Sequence, residues 1–187
     1  MIERAEAVRR GVEAGAMLYD VARKDDTQLG YLYDLAVLAP DGPAVECGVY
    51  AGGSLVCWAA AREGRGEVIA VDDWSSKTRD MFFRSLQRYA LSCRVLEMPS
   101  WQAPALLAEP VAFCFIDANH GEPFARDLAA WPAKMAPGGI LAFHDYGVWK
   151  PTVMVKRYVD EWRAGEGAAW EQLGQVGAVI AFRRPAC

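Results

Sequence analysis

Five short apolar runs constrain this chain more than any other feature. They are Ala44–Cys47, Val68–Asp72, Arg94–Glu97, Val111–Asp117 and Ile140–His144, each bounded by Gly, Pro or Asp. Several are apolar at nearly every position instead of alternating. That is the pattern of strands covered on both faces, as in a parallel sheet. Between them lie segments with helical spacing: Ser54–Arg62, Ser76–Leu91, Ser100–Leu107, Glu122–Lys134, and a stretch opened by Pro151 before Val155, Tyr158, Val159 and Trp162. Phe124, Leu128 and Trp131 fall on one helical face, and Pro132 is expected to kink that helix or end it early. Two more helices, Ile2–Arg23 and Thr27–Ala39, precede the first strand. Five repeats of strand then helix predict a doubly wound α/β domain. The tail breaks the alternation: Trp170–Val176 and Ala178–Arg183 join through Gly177 as a hairpin, so one terminal strand runs antiparallel to the rest.

The 187 residues fit a single domain, with helices over 1–43 and the α/β core over 44–187. Twenty basic and 24 acidic residues leave a net charge of −4, and the basic ones are scattered. Phosphate backbones need a basic face, so no nucleic-acid partner is expected. The first residues are charged and carry no apolar signal core, and no run approaches the ~18 apolar residues of a membrane span. Five cysteines without a C-x-x-C pair or short Cys/His spacing read as free thiols of a reducing cytoplasm, which is the expected location.

The chemistry-bearing residues gather at the ends of the runs. The first passes into Val45-Glu46-Cys47-Gly48-Val49-Tyr50-Ala51-Gly52-Gly53-Ser54, where glycines allow a sharp turn and close approach to a ligand. Ser54 is expected to cap the following helix. The G-x-x-x-G-G spacing departs from the dinucleotide fingerprint G-x-G-x-x-G. Glu46 would suit a ligand bearing an amino group. Asp72 ends the second run and could accept both hydroxyls of a ribose. Trp74 could cover an adenine face or simply pack.

These segments resemble the class I S-adenosylmethionine (SAM)-dependent methyltransferases. The likeness is closer to the small-molecule O-methyltransferases of the macrocin type and to the cephalosporin hydroxylase-like, methyltransferase 24-like proteins. It rests on V-E-C-G-V-Y-A-G-G-S from Val45, V-D-D-W from Val71, F-I-D-A-N-H from Phe115 and A-P-G-G-I-L-A-F-H-D-Y from Ala136. The resemblance implies a Rossmann-like sheet of seven strands, mostly parallel with one antiparallel strand in the C-terminal hairpin. It implies that Glu46, Gly48, Tyr50, Gly52, Gly53 and Ser54 hold the methionine part of SAM. Asp72 would bind the ribose, Asp73 and Trp74 would flank the adenosine, Ser100 would lie near the adenine, and Asp117 would border the donor.

In the metal-dependent members, positions matching Asp117, His144 and Asp145 hold a divalent cation, magnesium or manganese, which lowers the pKa of the acceptor hydroxyl. Two residues depart from that pattern. His144 stands where a carboxylate is common, and a nitrogen ligand suits manganese, iron or zinc better than magnesium. Asn119 stands where a candidate base, Asp, is found. Asn takes no proton at neutral pH, but the adjacent His120 can. His120, Asp117 and His144 are therefore the candidate catalytic residues. Tyr146 and Trp149 could line an acceptor pocket. The expected activity is O-methylation of a small hydroxylated acceptor, and the resemblance allows a homodimer. Two alternatives stay open: a non-catalytic SAM-binding module and an NAD-dependent oxidoreductase on a similar fold.

Overall fold

A computed structural model describes residues 2–16, 26–148 and 153–186. The expected extension of the first helix to Arg23, the Trp149 rim position and the Pro151 helix start fall outside them. Seven strands form one sheet: β1 (Ala44–Cys47), β2 (Val68–Asp72), β3 (Arg94–Glu97), β4 (Val111–Ile116), β5 (Met135–Phe143), β6 (Glu171–Val176) and β7 (Val179–Arg183). Their order is β3-β2-β1-β4-β5-β7-β6. β1 to β5 are mutually parallel, and β7 pairs antiparallel with both β5 and β6. The winding reverses between β1 and β4, and a crevice opens there at the carboxyl ends.

The helices are α1 (Arg4–Ala16), α2 (Asp26–Leu38), α3 (Gly53–Ala59), α4 (Arg79–Tyr89), α5 (Phe124–Lys134) and α6 (Val155–Ala164), with 3-10 segments at Ala60–Arg62 and Ser100–Leu106. One sheet face packs Ala44, Ala70, Phe113, Phe115 and Ala142 against residues of α1 to α3. The other packs Val45, Val71, Cys114, Ile116 and Phe143 against α5 and α6. Every residue of β1 and β4 is buried, which explains their unbroken apolar runs.

Several boundaries differ from expectation for local reasons. The fifth strand begins at Met135, not Ile140, because Pro137, Gly138 and Gly139 hide the strand signal; a register shift opposite Val111–Phe113 absorbs them. The expected Ser54–Arg62 helix divides at Ala60, and the Ser100–Leu107 segment is 3-10 with Pro104 inside it. α4 starts at Arg79. Pro132 lies within the last turn of α5, which continues to Lys134.

Arg62, 1% exposed, ties the end of α2 to the sheet. Its guanidinium donates to the carbonyls of Ala36, Ala39, Pro40, Gly42 and Arg65. Burial pushes its pKa down to about 10, yet it stays a cation at neutral pH.

Candidate active site

The loop after β1 is fixed by its neighbours. Gly48 has φ +82, and a Cβ there would lie 2.3 Å from the Asp117 carbonyl oxygen. The β1 and β4 loops therefore touch through a residue that must be glycine. Gly48 N donates to Val71 O (2.8 Å) and Asp117 N to Cys47 O (2.7 Å), joining three strand ends. Gly52, at φ +89, opens α3 without a side-chain cap. The expected cap, Ser54, lies two residues further in and donates instead to Glu46 Oε1 at 2.5 Å. A Cβ on Gly53 would meet the α1 backbone at Gly11 and Gly15, so this glycine serves helix packing.

Glu46 is fully buried, and its second oxygen accepts from Trp58 Nε1. Burial, opposed by these two bonds, lifts its pKa to about 8. It lines neither cavity described below. Glu46 braces the loop from beneath through Ser54 and Trp58.

A first cavity of about 210 Å³ runs along the β1, β2 and β4 ends. It is lined by Gly48, Tyr50, Asp72, Asp73, Ser75, Ser76, Met98, Ser100, Asp117, Asn119 and His120, among others. Asp72 accepts from Tyr50 N through Oδ2 (3.1 Å) and from Trp74 N through Oδ1 (2.7 Å). With a further backbone bond from Val49, the carboxylate still keeps acceptor capacity for a diol. Burial raises the Asp72 pKa, and those backbone bonds oppose the rise. Trp74 itself is not on this wall. Its ring turns onto Phe82 and Phe83, with centroids 5.4 and 6.4 Å away. Tyr50, Trp74 and Asp145 all have left-handed backbones (φ 50, 56 and 58), a strain that clusters at functional sites.

A second cavity lies on the other side of Gly48, Tyr50 and Asp117. Gly11, Gly15, Leu29, Leu32, Val148 and Val179 supply much of its wall, with Ser54, His144 and Asp145. The spacing of Gly11 and Gly15, one helical turn apart, is the sequence signal that pointed to this wall and went unused.

Where the two cavities meet, the acidic and imidazole groups converge. Asp117, His120 and Asp145 each bring a ligand-type atom within 4.8 Å of the others. His120 Nδ1 is 2.8 Å from Asp145 Oδ2. His144 Nδ1 is 3.1 Å from Asp117 Oδ1 and 3.4 Å from Asp145 Oδ1. His120 is thus as much a part of the cluster as His144, the ligand expected from sequence. The Asp145 bond raises the His120 pKa above its ordinary value, and burial opposes it. Tyr146 points away: its hydroxyl donates to Asp160 Oδ1 at 2.7 Å.

Asp127 was missed by the sequence reading because it sits inside the apolar stripe of α5. It is fully buried, and burial lifts its pKa to about 6, against the effect of Ser100, Trp131 and Asn119.

Comparisons with known proteins give the family and the fold. A family model described as a methyltransferase domain matches residues 45–146. No curated protein sequence matches the chain. Among solved structures, the SAM-bound O-methyltransferase TomG of Streptomyces achromogenes, involved in tomaymycin synthesis, is similar at TM-score 0.70 and 17% identity, covering 96% of this chain and 90% of that one. An O-methyltransferase from Bacillus cereus in complex with S-adenosylhomocysteine (SAH) gives TM-score 0.68 and 20% identity, covering 97% and 90%. An rRNA methylase from Streptococcus thermophilus gives TM-score 0.63 and 14% identity, covering 84% and 96%. These likenesses carry the fold, and the family match displaces the oxidoreductase alternative. The chain belongs to the methyltransferase-domain family and has the Rossmann-like fold of its SAM-dependent enzymes.

Proposed function

We propose that this protein is a SAM-dependent O-methyltransferase for a small hydroxylated acceptor. The observation that carries the reading is the meeting of two cavities at Gly48, Tyr50 and Asp117. The one beside Asp72 suits the nucleoside half of the donor. The one beside His144 and Asp145 suits the acceptor, and its aliphatic wall favours a compact molecule with much apolar surface. An open cavity beside Asp117 also favours a working site over a non-catalytic binding module.

Methyl transfer is an in-line displacement. The acceptor oxygen attacks the methyl carbon, the C–S bond breaks, and the electron pair stays on sulfur as a neutral thioether. The enzyme must hold the partners in line and accept the hydroxyl proton. With Nδ1–H donated to Asp145, His120 keeps Nε2 as its basic nitrogen. Asp117 and Asp145 place negative charge where that imidazolium forms.

Two carboxylates and an imidazole nitrogen also make a donor set that fits manganese, iron or zinc. Asp117, Asp145 and one of the two histidines would hold such an ion, and it would lower the acceptor hydroxyl's pKa. Transfer of a labelled methyl group from SAM to a panel of phenols and sugar alcohols tests the proposal, with chelated and manganese-supplied arms. Methylation on oxygen supports it. Methylation confined to RNA or to nitrogen acceptors would overturn it.

A further inference from the structure

Glu46 and Ser54 share a proton beneath the loop after β1, and the methyl-transfer scheme does not use them. Glu46 Oε1 and Ser54 Oγ lie 2.5 Å apart. Glu46 is fully buried, whereas Ser54 is only partly so and lines the second cavity. The pair therefore links the interior to the ligand space by one hydrogen bond.

The other carboxyl oxygen gives this bond its direction. Glu46 Oε2 faces Trp58 Nε1, and an indole N–H only donates. A proton on the carboxyl therefore sits on Oε1, toward Ser54. The surroundings keep that proton in place. Among the described residues no Lys, Arg or His pairs with Glu46. The titratable groups around it are Asp72 and Asp117 at the ends of β2 and β4, Cys57 on α3, Cys93 ahead of β3, and the adjacent Cys47. α2 adds Tyr33 to this layer, and α1 and α4 add the apolar Ala7 and Phe82. The buried cation on this side of the sheet, Arg62, is engaged by backbone carbonyls. An unpaired carboxylate in such a place is costly, so the neutral acid is favoured. Its pKa of about 8 agrees.

A neutral Glu46 gives the Oε1 proton to Ser54 Oγ, and the Ser54 hydroxyl proton turns to the cavity. An ionised Glu46 claims the Ser54 proton, and the cavity then meets only lone pairs. The group placed to read this difference is the tail of SAM. With its nucleoside in the first cavity, its amino-acid end leaves through the junction at Gly48, Tyr50 and Asp117. The second cavity, about 510 Å³, admits that end beside a compact acceptor. Asp117 suits the ammonium, and a hydroxyl proton suits the carboxylate.

We propose that Glu46 is a positioning residue: protonated on Oε1, it holds Ser54 as a hydrogen-bond donor to the carboxylate of SAM. This rests on the SAM-site assignment above and adds to it the device that reads the amino-acid end.

The test is calorimetric titration of the whole chain with SAH and with decarboxylated SAH at pH 7 and pH 9. It uses wild type, Glu46→Gln and Ser54→Ala, with a melting curve for each. Wild type should bind SAH about tenfold more weakly at pH 9 than at pH 7, as the protonated fraction falls around a pKa of about 8. Glu46→Gln, whose NH₂ donates to Ser54 at either pH, should show no such step. The ligand's own ammonium titrates alike with both proteins. Ser54→Ala should lose about tenfold in SAH affinity at pH 7, one hydrogen bond to a charged group. Decarboxylated SAH should bind all three proteins alike. A purely structural role would weaken both ligands together, which overturns the proposal. A pH step that persists in Glu46→Gln, or Ser54→Ala binding equal to wild type, does so too. If wild type melts at pH 9, the same comparison at pH 8 decides, with a step of about twofold. Wild type that binds neither ligand would overturn the SAM site itself, an outcome distinct from loss of the pH step.

Discussion

Glu46 offers the sharpest test of how the donor loop is held. Its carboxyl is fully buried, with Ser54 and Trp58 each donating to one oxygen, and burial lifts its pKa from 4.5 to about 8. A folded-state value above the unfolded one means that this group's contribution to stability is complete below pH 4.5. That contribution is lost as pH rises through about 8. Between pH 5 and pH 8 those two values correspond to roughly 3 to 4 kcal/mol. Glu46→Gln removes the titration and keeps the shape. Its carbonyl can accept from Trp58, and its NH₂ can donate to Ser54 Oγ, which rotates to accept. Urea unfolding at pH 5 and pH 8 measures the difference directly. Wild type should lose roughly 3 to 4 kcal/mol more than Glu46→Gln over that interval, since the other titrating groups are common to both proteins. Parallel stability profiles would refute the reasoning, because they would mean that Glu46 is ionised in the folded state throughout.

Other outcomes follow from the same structure. Gly48→Ala should cost at least about 2 kcal/mol in urea unfolding, because its Cβ would lie 2.3 Å from the Asp117 carbonyl at a φ of +82. Stability equal to wild type would show that the two loops do not touch as described. Arg62→Met should cost a similar amount, about 2 kcal/mol or more, by leaving carbonyls at the end of α2 unpaired. In metal-free protein, NMR titration of the His120 ring should give a pKa above 6.5 that falls in Asp145→Asn, since the Asp145 bond is its largest cause. A value that ignores Asp145 would remove that contact.

Much of the fold was legible because the core strands are covered on both faces. Ala44–Cys47, Val68–Asp72 and Arg94–Glu97 advertise themselves as strands with their final bounds. The early part of β5 did not, because Pro137, Gly138 and Gly139 disguise a strand that tolerates them only through a register shift. The residues that loops carry were legible: Gly48, Asp72, Asp117, His120, His144 and Asp145 line the two adjoining cavities. What escaped was the pairing of distant side chains. Nothing local tells that Glu46 is taken by Ser54 and Trp58, or that Trp74 prefers Phe82 and Phe83 to the cavity. Asp127 was hidden for the converse reason: its neighbours on α5 read as plain core, and only the fold brings Ser100 and Asn119 to it.

We propose that the crevice at the β1, β2 and β4 ends binds the methyl donor, with Asp72 on its ribose. Calorimetric titration with SAH tests it most directly. Wild type should bind one equivalent, and Asp72→Ala should bind about 10- to 100-fold more weakly, the loss of hydrogen bonds to a charged group. Well-folded protein that shows no SAH binding would rule out a donor site in this crevice, and an Asp72→Ala affinity equal to wild type would remove Asp72 from the ribose.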